Sequence, residues 1–306
     1  MNVFDMYISR FKNFANISSK NNINLNYDYI LCYDLDCFTN LKELSINKNT
    51  KYIDDNVLKL YDIKAVQINL EWLIKLNKSK IESISLNDTI NSLDLNLFVS
   101  FKNLKKLKIP LSVKKTIGSY EKNLPKLNDL ECSPELLTFF PGINLEIYSI
   151  VDGMKEIKLY NKINPLINIK CEILNIPKSI EKIYEGFLDH LFCTKVICSL
   201  NHIKFLNKNI TLIIGLIDDD LEIIPKNTFV DFLKLKTVIL PKKLKTIESK
   251  AFVHCSKLKY IKIPENVKNI SNDSFYDCPN LEEIECTKEI KERLKKHIKI
   301  NNNIRH

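Results

Sequence analysis

The feature that most narrows what this chain can fold into is a recurrence every 23 residues near its C-terminus. Leu235-Lys-Thr-Val238-Ile-Leu240-Pro241 aligns with Leu258-Lys-Tyr-Ile261-Lys-Ile263-Pro264, and both align with Leu281-Glu-Glu-Ile284-Glu-Cys286. The register survives between these cores. Ile224, Ile247 and Ile270 recur at the same step, as do Phe229, Phe252 and Phe275, and Phe232, Cys255 and Cys278 form a third column. A repeat of this period implies stacked supersecondary units rather than a single closed core. Alternating apolar residues in each core predict a short strand with one buried face, followed by a turn, a second extended piece and a Phe-anchored loop.

The L-x-x-L-x-I core extends upstream with looser spacing. It is met at Leu41-Leu44-Ile46, Ile63-Val66-Ile68, Ile81-Ile84-Leu86, Leu104-Leu107-Ile109 and Leu127-Leu130-Cys132. Met154-Ile157-Leu159, Cys171-Leu174-Ile176, Cys193-Val196-Cys198 and Leu212-Gly215-Ile217 complete the series. The expectation is therefore an array of about twelve units over residues 41–286,. Each unit can bury its apolar strand face only against its neighbours, so both ends need covering. Val3, Phe4, Tyr7, Ile8, Phe11 and Phe14 at helical spacing predict an N-terminal cap within 1–40, and Ile290, Leu294 and Ile298 predict a C-terminal cap and polar tail over 287–306,.

These motifs resemble the BspA-like leucine-rich repeat family, whose units carry I-P-x-x-V-x-x-I followed by A-F-x-x-C. The match is closest from Ile239 to Cys286. Ile263-Pro264-Glu-Asn-Val267-Lys-Asn-Ile270 and Ala251-Phe252-Val-His-Cys255 follow the pattern, and Ser274-Phe275-Tyr-Asp-Cys278 has Ser for Ala. Upstream, Ile176-Pro177-Lys-Ser-Ile180-Glu-Lys-Ile183 keeps part of it. The resemblance implies a leucine-rich-repeat solenoid, with parallel β-strands on one face, short loops, turns or helical pieces opposite, and helical caps at both ends. It also implies protein–protein interaction and, in some members, cell-surface adhesion.

Composition removes several other classes. The five glycines, at 118, 142, 153, 186 and 215, are too dispersed for a glycine-rich nucleotide loop,. A net charge of +9 permits acidic partners without demanding them,. The N-terminal residues carry Asp5 and no uninterrupted apolar core of the secretory kind,. The longest apolar stretch, Ile210 to Ile217, runs into Asp218-Asp219-Asp220, far short of the ~20 residues a membrane span requires,. Nine cysteines, an odd number, read as thiols in a reducing compartment, so the expected location is cytoplasmic,.

No constellation of chemical groups outweighs a structural reading. His190, Cys193, Cys198 and His202 include ligand types for zinc, but their spacing matches no zinc motif, and Cys193 and Cys198 occupy core columns of a repeat,. Cys255 and Cys278 read as one buried thiol column, with the adjacent His254 pointing elsewhere. Asp218 to Asp220 and Glu282, Glu283 and Glu285 read as solvated carboxylates. The runs at Lys105, Lys106 and Lys108, at Lys242, Lys243 and Lys245, and from Lys291 to Lys296 lack the interleaved aromatics of a single-strand groove, so nucleic acid is not the expected partner,. No cofactor or metal is expected.

Within L-x-x-L-x-I the third and fifth residues point away from the core. In the first half of the chain these pairs are polar and mixed in sign. In the second half they are Ile173/Asn175, Lys195/Ile197, Ile214/Leu216, Thr237/Ile239, Tyr260/Lys262 and Glu283/Glu285. Ile173, Ile197, Ile214, Leu216, Ile239 and Tyr260 are thereby expected to form an apolar stripe rimmed by Lys195 and Lys262, and such patches mark binding sites. The predicted function is a non-enzymatic scaffold that presents this face to a protein, whose identity the sequence does not disclose. Self-association stays open. Two alternatives also stay open: an adhesin exported without a recognisable signal, and an enzyme with its site in the irregular stretch 133–168.

Overall fold

A computed structural model describes residues 22–25, 29–30, 41–54, 63–157, 169–184, 188, 191–208 and 212–295. The predicted N-terminal cap residues Val3 to Phe14, and also Leu159, His190 and Ile298, lie outside the described residues. The chain divides into two compact units, Met1–Phe140 and Pro141–His306.

In the first unit, strands β1 (Asn22–Leu25), β3 (Glu43–Ile46), β5 (Ala65–Ile68), β6 (Ser83–Leu86), β8 (Lys106–Lys108) and β10 (Asp129–Cys132) lie side by side, all parallel. The ladder thus begins upstream of Leu41, because β1 pairs in register with β3, Ile23 opposite Leu44. Short strands form the opposite side, β2 (Tyr29–Ile30) with β4 (Tyr52–Ile53) and β7 (Ser92–Asp94) with β9 (Lys115–Ile117). Every predicted core residue of the five described units from Leu41 to Cys132 is buried. One hydrogen bond repeats at each strand entry: Lys64 N–H to Lys42 O, Glu82 N–H to Lys64 O and Lys105 N–H to Glu82 O, each at 2.8 Å. Parallel strands leave no hairpin connection, so each unit must cross back, and it does so through 3-10 turns such as Leu70–Lys75 and Leu95–Phe98,.

The second unit repeats this plan. β11 (Asn144–Ile150), β13 (Ile169–Asn175), β15 (Leu191–Cys198), β16 (Ile213–Leu216) and β18 (Thr237–Ile239) form a parallel ladder, and β20 (Tyr260–Lys262) pairs parallel with β22 (Glu283–Glu285). Strand-entry bonds run through these last rungs as well, from Lys236 N–H to Leu212 O, Lys259 N–H to Lys236 O and Glu282 N–H to Lys259 O, at 2.7, 3.1 and 2.9 Å. On the other side β12 (Glu156–Ile157) pairs with β14 (Lys182–Ile183), and β17 (Ile223–Ile224), β19 (Thr246–Ile247) and β21 (Asn269–Ile270) form a second small sheet. Helix α1 (Lys288–Lys295) buries Ile290 and Leu294.

The 23-residue columns are physical stacks. Phe229 and Phe252 lie 4.8 Å apart, centroid to centroid, with planes 6° apart, and Phe252 and Phe275 lie 5.0 Å apart at 11°. The thiols of the third column donate to backbone carbonyls between rungs, Cys255 to Phe229 O at 3.0 Å and Cys278 to Phe252 O at 2.9 Å. Left-handed turn residues follow the same step: Asp231, His254 and Asp277 have φ of 62°, 58° and 54°.

Two predicted units are corrected by this register. Leu212-Gly215-Ile217 is displaced by one residue, because Ile214 stands opposite Val196 and Val238, and Leu216 stands opposite Cys198. Leu212-Ile-Ile-Gly-Leu-Ile217 is apolar throughout and carries no alternation of its own, so only the neighbouring strands decide which face is inside. Met154-Ile157-Leu159 is not a rung of the main ladder either. The rung is Leu145-Tyr148-Ile150 in β11, with Tyr148 fully buried in the leucine column. Ile157 instead belongs to the opposite side, paired with Ile183.

Candidate protein-binding face

The outward positions of the second unit's ladder form two columns. The first runs Ile147, Ile173, Lys195, Ile213, Thr237, each opposite the next across a strand pair. The second runs Ser149, Asn175, Ile197, Gly215, Ile239. Tyr260 and Lys262, then Glu283 and Glu285, occupy the equivalent places on the last two rungs.

Six of the eight predicted site residues are where the sequence placed them: Ile173, Ile197, Ile239, Tyr260, Lys195 and Lys262 all lie on this face and are half-buried or exposed. Ile214 and Leu216 are not. Ile214 is 0% exposed and Leu216 9%, and both side chains point into the core. Their places on the face belong to Ile213 and Gly215, since a slip of one residue exchanges the two sides of a strand,. Ile147 joins the face as a residue that leucine spacing could not find, because its rung carries Tyr148 in the core column. The apolar patch is thus Ile147, Ile173, Ile197, Ile213 and Ile239, of which Ile239 is the most open at 51%.

The charged groups around it differ in how they are held. Lys262 forms an ion pair with Glu285, whose other carboxylate oxygen accepts from the Tyr260 hydroxyl at 2.6 Å. These contacts, Lys262 first, hold Glu285 below the usual carboxylate range, and the bond to Glu285 together with partial burial pushes Tyr260 up to about 12. On the first unit's face Lys106 pairs with Asp129 at 2.9 Å and Lys108 with Glu131 at 2.7 Å, each across one rung. Ser45, Gln67 and Asn87 are joined there by side-chain hydrogen bonds. Polar groups on that face bond to one another, whereas the isoleucines of the second unit's face bring no polar group of their own.

Other groups singled out by the sequence are occupied structurally. His202 is buried, its Nδ1 accepting from Ser199 N–H at 3.2 Å and its Nε2 lying 2.6 Å from Ile180 O, so Nε2 carries the hydrogen and neither nitrogen is open to a ligand. Cys193 and Cys198 turn towards the core from β15. Burial, with the charge of Asp218, pushes the Cys198 thiol up to about 12. Hydrogen bonding to Cys193, then burial, raises Cys171, and hydrogen bonding to Cys278, then burial, raises Cys255. Thiols so held are poor nucleophiles. His254 points away from Cys255, towards Asp231 Oδ1 at 2.9 Å. Among the acidic residues, Asp218 accepts from Leu200 N–H at 2.6 Å, and Asp220 pairs with Lys243. Lys105 pairs with Glu82 and Lys245 with Glu222, so much of the lysine runs' charge is spent within the chain. No described helix is long and apolar enough to cross a membrane.

No curated protein matches the sequence. Among solved structures, a leucine rich cell surface protein from Faecalibacterium prausnitzii A2-165 is 14% identical, with 93% of this chain and 81% of that one covered and a TM-score of 0.31. A leucine-rich repeat protein from Bacteroides ovatus is also 14% identical, over 88% and 86% of the two chains, with a TM-score of 0.28. An LRR protein of Leptospira interrogans is 14% identical over 97% and 98%, with a TM-score of 0.30. The family model described as BspA type leucine rich repeat region matches residues 74–139 and 198–305 in six copies, more than half of the 306 residues, and the chain belongs to that family.

Proposed function

We propose that the chain is a non-enzymatic scaffold that binds a protein through the strand face of its second unit. The observation that carries this reading is the patch Ile147, Ile173, Ile197, Ile213 and Ile239, five aliphatic side chains at outward positions of adjacent parallel strands, four half-buried and Ile239 exposed. Strands ~4.8 Å apart make such a set contiguous, and an apolar centre with a charged rim is the composition of a protein interface. Two features support binding over catalysis: burial holds the Cys198 thiol protonated, and His202 has both ring nitrogens engaged.

The site of action we propose is intracellular, in keeping with an odd number of cysteines, several of them packed in the core as free thiols,. Surface labelling of intact cells tests that placement.

Binding itself is tested by affinity capture with the full chain and with an Ile213→Asp, Ile239→Asp double variant. Proteins retained by the parent and lost by the variant, at unchanged melting temperature, support the proposal. Identical sets of retained proteins would overturn it.

A further inference from the structure

Two irregularities within this face say what its partner must bring. The first is Gly215. Every neighbouring rung carries a side chain at this position, Ile197 before it and Ile239 after it. Nothing in the chain's own packing calls for glycine here. A Cβ would meet only Ile197 Cγ1 at 3.6 Å and Val196 O at 3.9 Å, which is ordinary contact, and the backbone is not in the left-handed region. Glycine within a strand weakens it, and often marks a close approach by another group. The result is a notch between Ile197 and Ile239, with Gly215 itself buried at its floor.

The second irregularity is Lys195. The other lysines at the third and fifth positions of the described L-x-x-L-x-I cores, Lys106, Lys108 and Lys262, are each neutralised by a carboxylate on the next rung. Lys195 instead stands between Ile173 and Ile213. Among the described residues its ammonium has no ion pair or side-chain hydrogen bond, Glu172 on the preceding strand included. A lone cation within an apolar patch is costly to desolvate unless the incoming surface supplies an opposite charge.

We propose that the partner is a protein segment carrying an acidic side chain for Lys195 and an aliphatic side chain for the notch at Gly215. The two points lie diagonally, one strand and two residues apart, about 8 Å by strand geometry, and residues two apart in an extended segment span about 7 Å. The lysine stem covers the difference. This inference rests on the reading that the face binds protein, and it adds the chemistry of the ligand.

The test uses a displayed library of short random peptides selected on the full chain. Peptides whose binding is lost in Ile239→Asp define ligands of this face. They are expected to be enriched in an acidic residue two positions from an aliphatic one. Their affinity is expected to fall at least about tenfold with Lys195→Met, which keeps the stem and removes the charge. Gly215→Ala should also weaken them at an unchanged melting temperature, and selection on Lys195→Glu should return basic peptides instead. Face-dependent peptides that lack acidic residues and ignore Lys195→Met would overturn the inference while leaving the binding face standing. A library with no peptide sensitive to Ile239→Asp would remove both.

Discussion

Tyr260 donates its hydroxyl hydrogen to Glu285 Oε2 at 2.6 Å, tying the last two rungs of the ladder together from their outer side. The bond to a carboxylate keeps this phenol protonated to about 12, against 10 for a free tyrosine side chain. A folded-state value raised above the unfolded one means that the native chain holds a proton the unfolded chain releases. The associated stability is fully present below pH 10 and is lost as pH rises through 12. Ultraviolet titration of phenolate should therefore show one late component in the parent that is missing in Tyr260→Phe. Melting temperatures of the two should converge as pH climbs from 10 to 12.

The one-residue register at β16 makes a sharp contrast between neighbours. Ile214 is wholly buried and Ile213 lies on the face. Ile214→Ala should cost about 2–5 kcal/mol through lost burial and a residual cavity. Ile213→Ala should change stability by less than about 1 kcal/mol, as surface truncations do. Denaturant midpoints of the two variants check the assignment, and equal losses would mean that the ladder is registered differently.

Phe252 sits between Phe229 and Phe275 with nearly parallel rings on both sides. Phe252→Ala should cost about 3–5 kcal/mol, the upper range for core truncations, because two stacking partners lose contact at once. Phe252→Leu keeps most of the volume and should cost markedly less. Thermal unfolding followed by circular dichroism separates them.

His202 does the work of a buried amide, receiving Ser199 N–H and donating to Ile180 O from within the core. Replacing it by Leu leaves one backbone donor and one backbone acceptor without partners, at about 1–3 kcal/mol each. Chemical denaturation of His202→Leu should show a loss of that order, with His202→Gln less affected because its amide can both donate and accept.

At Lys250 the backbone is left-handed, with φ 54°, at the same place in its unit as Asn227 with φ 60°. Lys250→Gly removes the Cβ penalty and adds unfolded-state freedom, two effects of opposite sign, so a net stabilisation of about 0.5 kcal/mol is expected. A small rise in melting temperature would show it.

Much of this architecture can be read from side-chain spacing because each rung must present the same columns to its neighbours. Leu44, Ile84, Leu107 and Leu130 are legible as a column since each is flanked by polar residues that mark the outward direction. The reading weakens where that contrast vanishes. Leu212 to Ile217 is apolar on both sides, and Tyr148 places an aromatic where a leucine template does not look. Both exceptions fall at the candidate site, where outward positions carry isoleucines and so imitate the core.

Sequence alone therefore determined the repeat, its strand-and-turn unit, most core columns and the half of the chain where the face turns apolar. These are local consequences of periodic burial, since an alternating strand declares which side is inside. Only the tertiary structure decided that Ile213 and Gly215, rather than Ile214 and Leu216, take the outward positions of β16, and that among the described residues Lys195 alone of the lysines at the third and fifth core positions lacks a carboxylate. Register and charge pairing are set between strands by residues about 20 positions apart, and a strand read on its own carries no record of the neighbour it will meet.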